Sequence, residues 1–193
     1  MELEKVLVKR VSVRKYNDRM PSDEDIQKVI DAALLAPIVH FHKLHLSVVT
    51  SKEAMALADE AAAEIFAKPD SIIKMPRPYM YGAPVWIILS GKDYDITTYQ
   101  GKLMHDNLFW DVGSIIENME LQATALGLAS CGINTTVVAM RNRPDVRKAL
   151  GIPEGYDALA SMIIGYSDTE YPERKVKPEF IPVSYVGFQQ VSG

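Results

Sequence analysis

Apolar residues along the chain follow two patterns, helical spacing and continuous buried runs. Intervals of three and four residues between apolar positions predict amphipathic helices, and Ser22 and Gly127 stand where helix caps are expected. Continuous apolar runs bounded by turn residues predict strands that are buried on both faces. The predicted helices cover residues 2–9, 22–36, 51–67, 103–126 and 143–150, and the predicted strands cover 45–50, 83–90, 128–133 and 158–164.

The order of these elements predicts the fold class. Helices and strands are mixed without the regular alternation of a doubly wound sheet, so an α+β fold is expected, as a single domain over residues 1–193. Asn142 is predicted to cap the helix that contains Pro144. After Tyr166 the chain is rich in proline and charge, which predicts an extended tail that crosses another surface, and Val183–Phe188 is predicted to add an edge strand there.

Composition narrows the class of protein. The 193 residues are 48% apolar and carry a net charge of −4, which argues against a nucleic-acid surface. A single cysteine, Cys131, excludes an intramolecular disulfide and fits a reducing compartment. The N-terminus lacks a signal-peptide pattern, and the longest apolar runs are too short to cross a bilayer. We therefore expect a cytoplasmic protein that binds neither membrane nor nucleic acid.

The segment from Arg10 to Tyr16, called here the Arg10–Tyr16 strip, is the strongest candidate for chemistry. If it is extended, Arg10, Ser12 and Arg14 lie on one side, with apolar residues behind them. Two guanidinium groups and a hydroxyl at this spacing could hold a phosphate, with Arg174 and Lys175 of the tail as further cations. The alternative, from this segment alone, is a solvated basic stretch and a charged tail.

Other candidate groups carry weaker signals. His40, His42 and His45 are close in sequence, but no carboxylate at helical spacing and no second cysteine completes a metal site, so no metal is expected. Cys131 has no evident base beside it and is interpreted as a small core thiol. Glycine-rich nucleotide motifs are missing from the sequence, so any phosphate must be held by side chains.

Several segments together resemble the FMN-dependent nitroreductase family. They occur in the family's order and cover nearly the whole chain, although none is specific alone. The segments are Arg10-Val11-Ser12-Val13-Arg14-Lys15-Tyr16, Ala33-Leu34-Leu35-Ala36-Pro37, Gly82-Ala83-Pro84-Val85, the helix from Asp111 to Leu126 with Gly127-Leu128-Ala129-Ser130-Cys131 after it, and Leu150-Gly151-Ile152-Pro153-Glu154 before Ile164-Gly165-Tyr166.

The resemblance implies a nitroreductase-like fold, with a central mixed or antiparallel sheet flanked by helices. It also implies a homodimer with FMN in the subunit interface and a C-terminal extension that crosses to the partner subunit. Members of the family take hydride from NADH or NADPH and reduce a nitroaromatic, a quinone or a related small acceptor in alternating half-reactions. The flavin carries that chemistry, while the protein positions it.

The resemblance also assigns residues to the cofactor. Arg10 and Ser12 would hold the phosphate and ribityl chain, assisted by Arg174 or Lys175, and Arg14 would lie near the flavin pyrimidine and tune it. The remaining implied contacts are Val11 in the Arg10–Tyr16 strip, the loop residues Pro37, Ile38, Val39 and His40 at the ring, and Gly132, Ile133 and Asn134, whose backbone would reach the ring from the partner subunit.

The loop from Pro37 to His45, called here the 37–45 loop, departs from the family pattern. The family usually reads P-S-x-x-N-x-Q-P-W there, whereas this chain reads Pro37-Ile38-Val39-His40-Phe41-His42-Lys43-Leu44-His45. Aromatic, imidazole and ammonium groups replace the polar groups that commonly bond the flavin edge. An alternative function therefore remains open, a flavin-binding sensor or carrier module without efficient turnover.

Overall fold

The centre of the fold is a four-stranded antiparallel sheet. The computed structural model describes residues 1–68, 70–71, 76–141 and 143–187. The strands are β1 (Leu44–Val49), β2 (Val85–Gly91), β3 (Ala129–Gly132) and β4 (Asp157–Gly165), and they are arranged in the order β1-β2-β4-β3. The sequence interpretation allowed a mixed or antiparallel sheet, and these four strands pair antiparallel throughout.

Six helices flank the sheet in the described part of the chain. Ser22 accepts a hydrogen bond from the amide of Asp25 and begins the second helix, as its cap pattern predicts. Gly127 has a φ of 78° and ends the longest helix, as expected for a left-handed cap. The helices are α1 (Leu3–Lys9), α2 (Asp23–Leu34), α3 (Lys52–Phe66), α4 (Tyr99–Ala125), α5 (Thr135–Met140) and α6 (Pro144–Ala149).

Two hydrophobic cores lie on the two faces of the sheet. Successive side chains of a strand point to opposite faces, so β2 contributes to both cores. Trp86 and Ile88 pack with α3, α5 and α6, whereas Ile87 and Leu89 pack with α2 and α4. Every residue of β2 is buried, which confirms that its continuous apolar run is a central strand and gives an α+β fold of three layers.

The Arg10–Tyr16 strip extends the sheet next to β3. Ser12 forms an isolated parallel bridge with Ser130, and the amide of Val13 donates to the Ser130 carbonyl at 2.8 Å. Val13 is buried and Arg14 is exposed, as the alternation of the extended strip predicts. The strip is therefore fixed to the edge of the sheet by its backbone, and its side chains take no part in that pairing.

The tail after β4 returns to the first helix. The amide of Arg174 donates to the carbonyl of Val8 at 2.7 Å, and Lys5 forms an ion pair with Glu173 at 2.5 Å. Residues 183–187 form no strand within this chain, and Phe188 lies outside the described residues. The edge strand predicted for Val183–Phe188 on another surface stays a prediction.

Other boundaries differ from the sequence prediction in identifiable ways. Helix α5 was not predicted, because its sequence of threonine and valine favours strands, and its tertiary packing overrides that propensity. Helix α4 begins four residues earlier than predicted, at Tyr99, where Thr98 caps it. Asn142, the predicted cap of α6, lies outside the described residues. Within the described ranges, no helix combines the length and apolarity that a membrane crossing requires.

Candidate functional site

Arg10 is the first residue of the candidate site, and it lies beside acidic residues of α4. It follows α1 directly and has extended backbone dihedrals, so its side chain leaves the helix toward α4. Its Nη2 donates to Glu117 Oε2 at 3.2 Å, and its Nε lies 3.5 Å from Glu120 Oε2. The Arg10 side chain is 18% exposed, so the guanidinium is largely buried but still reaches the surface.

Glu120 connects Arg10 with β3. Its Oε1 accepts a hydrogen bond from the amide of Gly132 at 2.9 Å, while its Oε2 faces Arg10. Burial raises the pKa of Glu120, and the nearby charge of Arg10 acts in the opposite direction. Arg10 and Gly132 of one chain therefore contact the same carboxylate, that of Glu120, although they are far apart in sequence.

The other predicted contacts divide between the surface and the core. Arg14 is exposed, and its Nη1 lies 3.5 Å from the Ser12 carbonyl. Gly132 and Asn134 are exposed, whereas Ile133 is 3% exposed and packs in the core against α5. Burial raises the pKa of the Cys131 thiol, which fits its interpretation as a core residue.

Arg174 and Lys175 lie in a groove between the tail and the end of α1. Arg174 is close enough to Glu120 that its charge acts to lower the pKa of that carboxyl. The groove has a volume of 1390 Å³, and Val11 of the Arg10–Tyr16 strip also lines it. Arg174 therefore belongs to the same site as Arg10, and Lys175 follows Arg174 in sequence. The site is called here the Arg10 cluster and comprises Arg10, Ser12, Glu117, Glu120, Gly132 and Arg174.

Three buried polar atoms distinguish this region. Among the described residues, six buried side-chain nitrogen and oxygen atoms have no hydrogen-bond partner, and three of them are Arg10 Nε, the Tyr16 hydroxyl and Ser130 Oγ. These three belong to the strip and to the strand that it pairs with. Because such atoms are rare in native structures, their grouping favours a polar ligand at this place.

The 37–45 loop forms a second cluster, at the middle of α4. Asp111 Oδ2 accepts the amide of Val39 at 2.9 Å and lies 2.5 Å from His42 Nδ1. The side chains of Asp111 and His42 are 5% and 0% exposed, so this pair is buried. The pair is called here the loop clamp, because it holds both the backbone and a side chain of the loop on α4.

Pro37, Ile38 and Val39 line a separate cavity beside the loop clamp. Its volume is 290 Å³, and the other lining residues, Asn107, Trp110 and Asp111, come from α4. His40 is exposed next to this cavity, and its ring contacts Phe41 edge-on. The loop residues that the resemblance assigns to the flavin ring therefore surround a small surface cavity.

Helix α4 separates the two clusters within one chain. Glu120 follows Asp111 by nine residues, which corresponds to about 13 Å along the helix and half a turn around it. The Arg10 cluster therefore lies on the opposite side of α4 from the loop clamp. One chain does not bring Arg10 and the residues 37–40 together.

The sequence analysis did not identify the three carboxylates that bind the other residues of these clusters, which are Asp111, Glu117 and Glu120. Asp111 lies three residues after the buried Leu108, and Glu120 lies three residues before the buried Ala123. A charged residue within the apolar stripe of a helix was the available signal, because burying a carboxylate is costly unless it is bonded. Glu117 is half-exposed and gave no such signal.

Comparison with known proteins gives one consistent family. The model of the nitroreductase family matches residues 7–166. A protein of Archaeoglobus fulgidus that carries the provisional name NADH dehydrogenase/NAD(P)H nitroreductase is 28% identical over 179 residues, which cover 92% of each chain.

Solved structures agree in fold. A nitroreductase with bound FMN from Desulfitobacterium hafniense has a TM-score of 0.79 and 28% identity, covering 95% of this chain and 97% of its own. A second nitroreductase with bound FMN, from Bacteroides fragilis, has a TM-score of 0.77 and 25% identity, covering 96% of this chain and 100% of its own.

Proposed function

The chain belongs to the nitroreductase family, as its sequence resemblance predicts, and we propose that it is an FMN-dependent NAD(P)H oxidoreductase. The proposed acceptors are nitroaromatics, quinones or related small molecules. The observation that carries the proposal is the Arg10 cluster, because the strip that resembles the family's phosphate site lies beside unpartnered buried polar atoms.

The Arg10 cluster suits a phosphorylated cofactor. A guanidinium has five N–H donors in a planar fork, and Glu117 occupies one of those of Arg10. Glu117 faces Nη2 and Glu120 faces Nε, while no carboxylate of the described residues faces Nη1, so Arg10 retains donors for another anion. Arg174 supplies a second positive charge at the same place. The residues present therefore fit the phosphate of FMN.

Each residue has a specific role in this proposal. Arg10, Ser12 and Arg174 hold the phosphate and ribityl chain, with Lys175 beside them. Arg14, exposed at the far end of the strip, presents a cation that favours negative charge on a neighbouring group. Bound FMN would supply the redox chemistry, which is hydride uptake from NADH or NADPH and reduction of the acceptor. The protein positions these groups and sets the local charge.

The proposed assembly is a homodimer, because the separation across α4 leaves each chain with two half-sites. In this arrangement a second copy brings its residues 37–40 to the Arg10 cluster of the first. The resemblance assigned Gly132 to the partner subunit. In this chain Gly132 and Arg10 contact the same carboxylate, Glu120, so we propose that Gly132 and Arg10 of one subunit contribute to the same site.

Exposed apolar side chains also favour this assembly. Trp110 on α4 is 76% exposed, and several apolar residues of the tail are similarly exposed. Large exposed apolar patches are typical of surfaces that another molecule covers. The exposed apolar residues of α4 and the tail are Tyr99, Leu103, Phe109, Trp110, Tyr171, Val176, Phe180, Ile181, Val183, Tyr185 and Val186.

The visible spectrum of the purified protein tests the cofactor, and anaerobic stopped-flow tests the activity. Rapid bleaching of bound flavin by NADH or NADPH supports the oxidoreductase. A yellow protein that neither donor reduces supports the alternative, a flavin-binding sensor or carrier. A colourless protein that takes up no added FMN refutes both.

A charge reversal tests the site. Arg10→Glu places an anion against the phosphate and should abolish flavin retention while the fold is kept. Circular dichroism checks the fold, because Glu117 and Glu120 lie beside this position. Lys52→Glu makes the same change in net charge at an exposed position on α3, across the sheet, and should retain flavin. Equal flavin content in both variants would contradict the role of Arg10.

A further inference from the structure

The Arg10 guanidinium lies between two acidic side chains that come from one face of α4. Glu117 and Glu120 are three residues apart, so they are neighbours on the helix surface. Glu117 Oε2 is 3.2 Å from Arg10 Nη2, and Glu120 Oε2 is 3.5 Å from Arg10 Nε. An anion that binds Arg10 therefore comes close to two carboxylates.

The two carboxylates differ in their freedom to move away. The Glu117 side chain is 45% exposed and can turn into water. The Glu120 side chain is 6% exposed, and its Oε1 is held by the amide of Gly132 at 2.9 Å. Glu120 therefore stays beside Arg10 when an anion arrives.

The described groups around Glu120 include two cations, Arg10 and Arg174, and an arriving anion would share both of them with Glu120. Burial already raises the pKa of Glu120, so its charged form is disfavoured before any ligand binds. The titratable and charged groups that face it are Arg10 from the strip, Glu117 on α4, Arg174 from the tail, Tyr16 at the end of the strip and Cys131 on β3.

A phosphate dianion at Arg10 adds negative charge next to this fixed carboxylate. Like charges that share a site raise the proton affinity of one of them. The phosphate loses its second proton with a pKa of about 6 and is a dianion above neutral pH. Because Glu120 cannot turn away, its carboxylate and the phosphate are then expected to hold one proton between them.

We propose that Glu120 controls anion binding at Arg10, because Glu120 Oε2 and the phosphate together take up one proton from solvent when a phosphorylated ligand binds. Oε1 keeps its hydrogen bond from the Gly132 amide, and Arg10 stays charged and turns its free donors to the phosphate. The proposal rests on the proposed function, which places the FMN phosphate at Arg10. Glu120 is then a positioning residue, and its fixed position sets how many protons the site takes up with the ligand.

The sign of the pH effect follows from this proton uptake. Binding that consumes a proton weakens as the pH rises, by up to about tenfold per pH unit for one proton. For wild-type protein, the dissociation constant of FMN should therefore rise between about pH 7 and pH 8.5, where the phosphate is already a dianion. Riboflavin, which has no phosphate, should show no such rise.

Glu120→Gln tests the assignment directly. Glutamine keeps the shape and the acceptor for the Gly132 amide but carries no charge, so this variant should bind FMN more tightly above neutral pH and with no pH slope. Glu53→Gln makes the same change at an exposed position on α3, across the sheet, and should keep the wild-type slope. Circular dichroism establishes that each variant is folded.

The measurement is calorimetric titration of FMN and of riboflavin into flavin-free full-length protein, in phosphate-free buffers of different ionisation enthalpy. The expected result is close to one more proton taken up by wild type with FMN than with riboflavin, and a loss of this difference in Glu120→Gln. Equal proton uptake and equal slopes in wild type and Glu120→Gln would overturn the proposal while FMN binding stands. Failure of all three proteins to bind FMN would instead refute the proposed function, and this inference with it. If a variant does not fold, the wild type decides alone: equal proton uptake with FMN and with riboflavin would overturn the proposal.

Discussion

The loop clamp gives the sharpest stability prediction, because the chain contains a matched pair on its surface. Asp111 accepts one backbone amide, from Val39, and pairs with one histidine, His42, at 2.5 Å. Asp93 likewise accepts one backbone amide, from the next residue, and pairs with His105 at 2.6 Å. The two carboxylates have the same kinds of partner and differ chiefly in burial.

The expected cost of Asp111→Ala follows from that burial. The Asp111 side chain is 5% exposed, and its removal leaves a part-buried backbone N–H and a buried imidazole nitrogen without their partner. Each unsatisfied buried group costs about 1–3 kcal/mol. We therefore expect Asp111→Ala to lower the free energy of unfolding by about 2–6 kcal/mol.

The control is Asp93→Ala. The Asp93 side chain is 44% exposed, so water replaces the lost carboxylate for both partners. Exposed ion pairs contribute about 1 kcal/mol or less, and the loss should stay in that range. Urea unfolding at one fixed protein concentration, followed by tryptophan fluorescence and circular dichroism, measures both variants under the same conditions.

Equal losses in the free energy of unfolding for the two substitutions would refute the effect of burial on the Asp111 interactions. A double substitution of Asp111 and His42 adds a second check, since contacting partners should show a coupling energy of about 0.5–3 kcal/mol. Additive effects would mean that the two side chains act independently.

Three further predictions concern the fold and its pH dependence. Gly165→Ala places a Cβ 2.6 Å from Pro84 Cδ and should lower the free energy of unfolding in urea by about 1–3 kcal/mol. Ser22→Ala removes the side-chain cap of α2 and should cost about 1 kcal/mol, seen as a lower thermal midpoint. Although partial burial acts to raise it, the hydrogen bond with His105 holds the pKa of Asp93 below its usual value. Asp93 therefore stabilises the fold above its unfolded-state pKa, and the difference in stability between wild type and Asp93→Asn should disappear as the pH falls through the lowered pKa.

The sequence predicts most of the fold because its elements are specified locally. Apolar spacing, the cap at Ser22 and the glycine at 127 act within a few residues, and they identify every strand and five of the six helices in the described structure. Helix α5 escapes this reasoning because its threonines and valines favour a strand. Its helical state depends on contacts with α3, which are distant in sequence.

The candidate site was partly predictable for the same reason. The alternation within the Arg10–Tyr16 strip is a local property, so Arg10, Ser12 and Arg14 could be placed on one side from the sequence. The resemblance also supplied the family, which the family model confirms over residues 7–166. The contact partners of these residues in the folded protein could not be predicted in this way.

By itself, the sequence determined the four strands and five of the six described helices, the α+β class, the family and the cationic strip. Only the tertiary structure decided that Glu117 and Glu120 flank Arg10 and that Asp111 holds His42. These partners lie 107 residues apart for Arg10 and Glu117, and 69 residues apart for His42 and Asp111. The physical reason is that secondary structure depends on neighbours along the chain, whereas a buried charge takes its partner from whatever the packing of α4 places beside it.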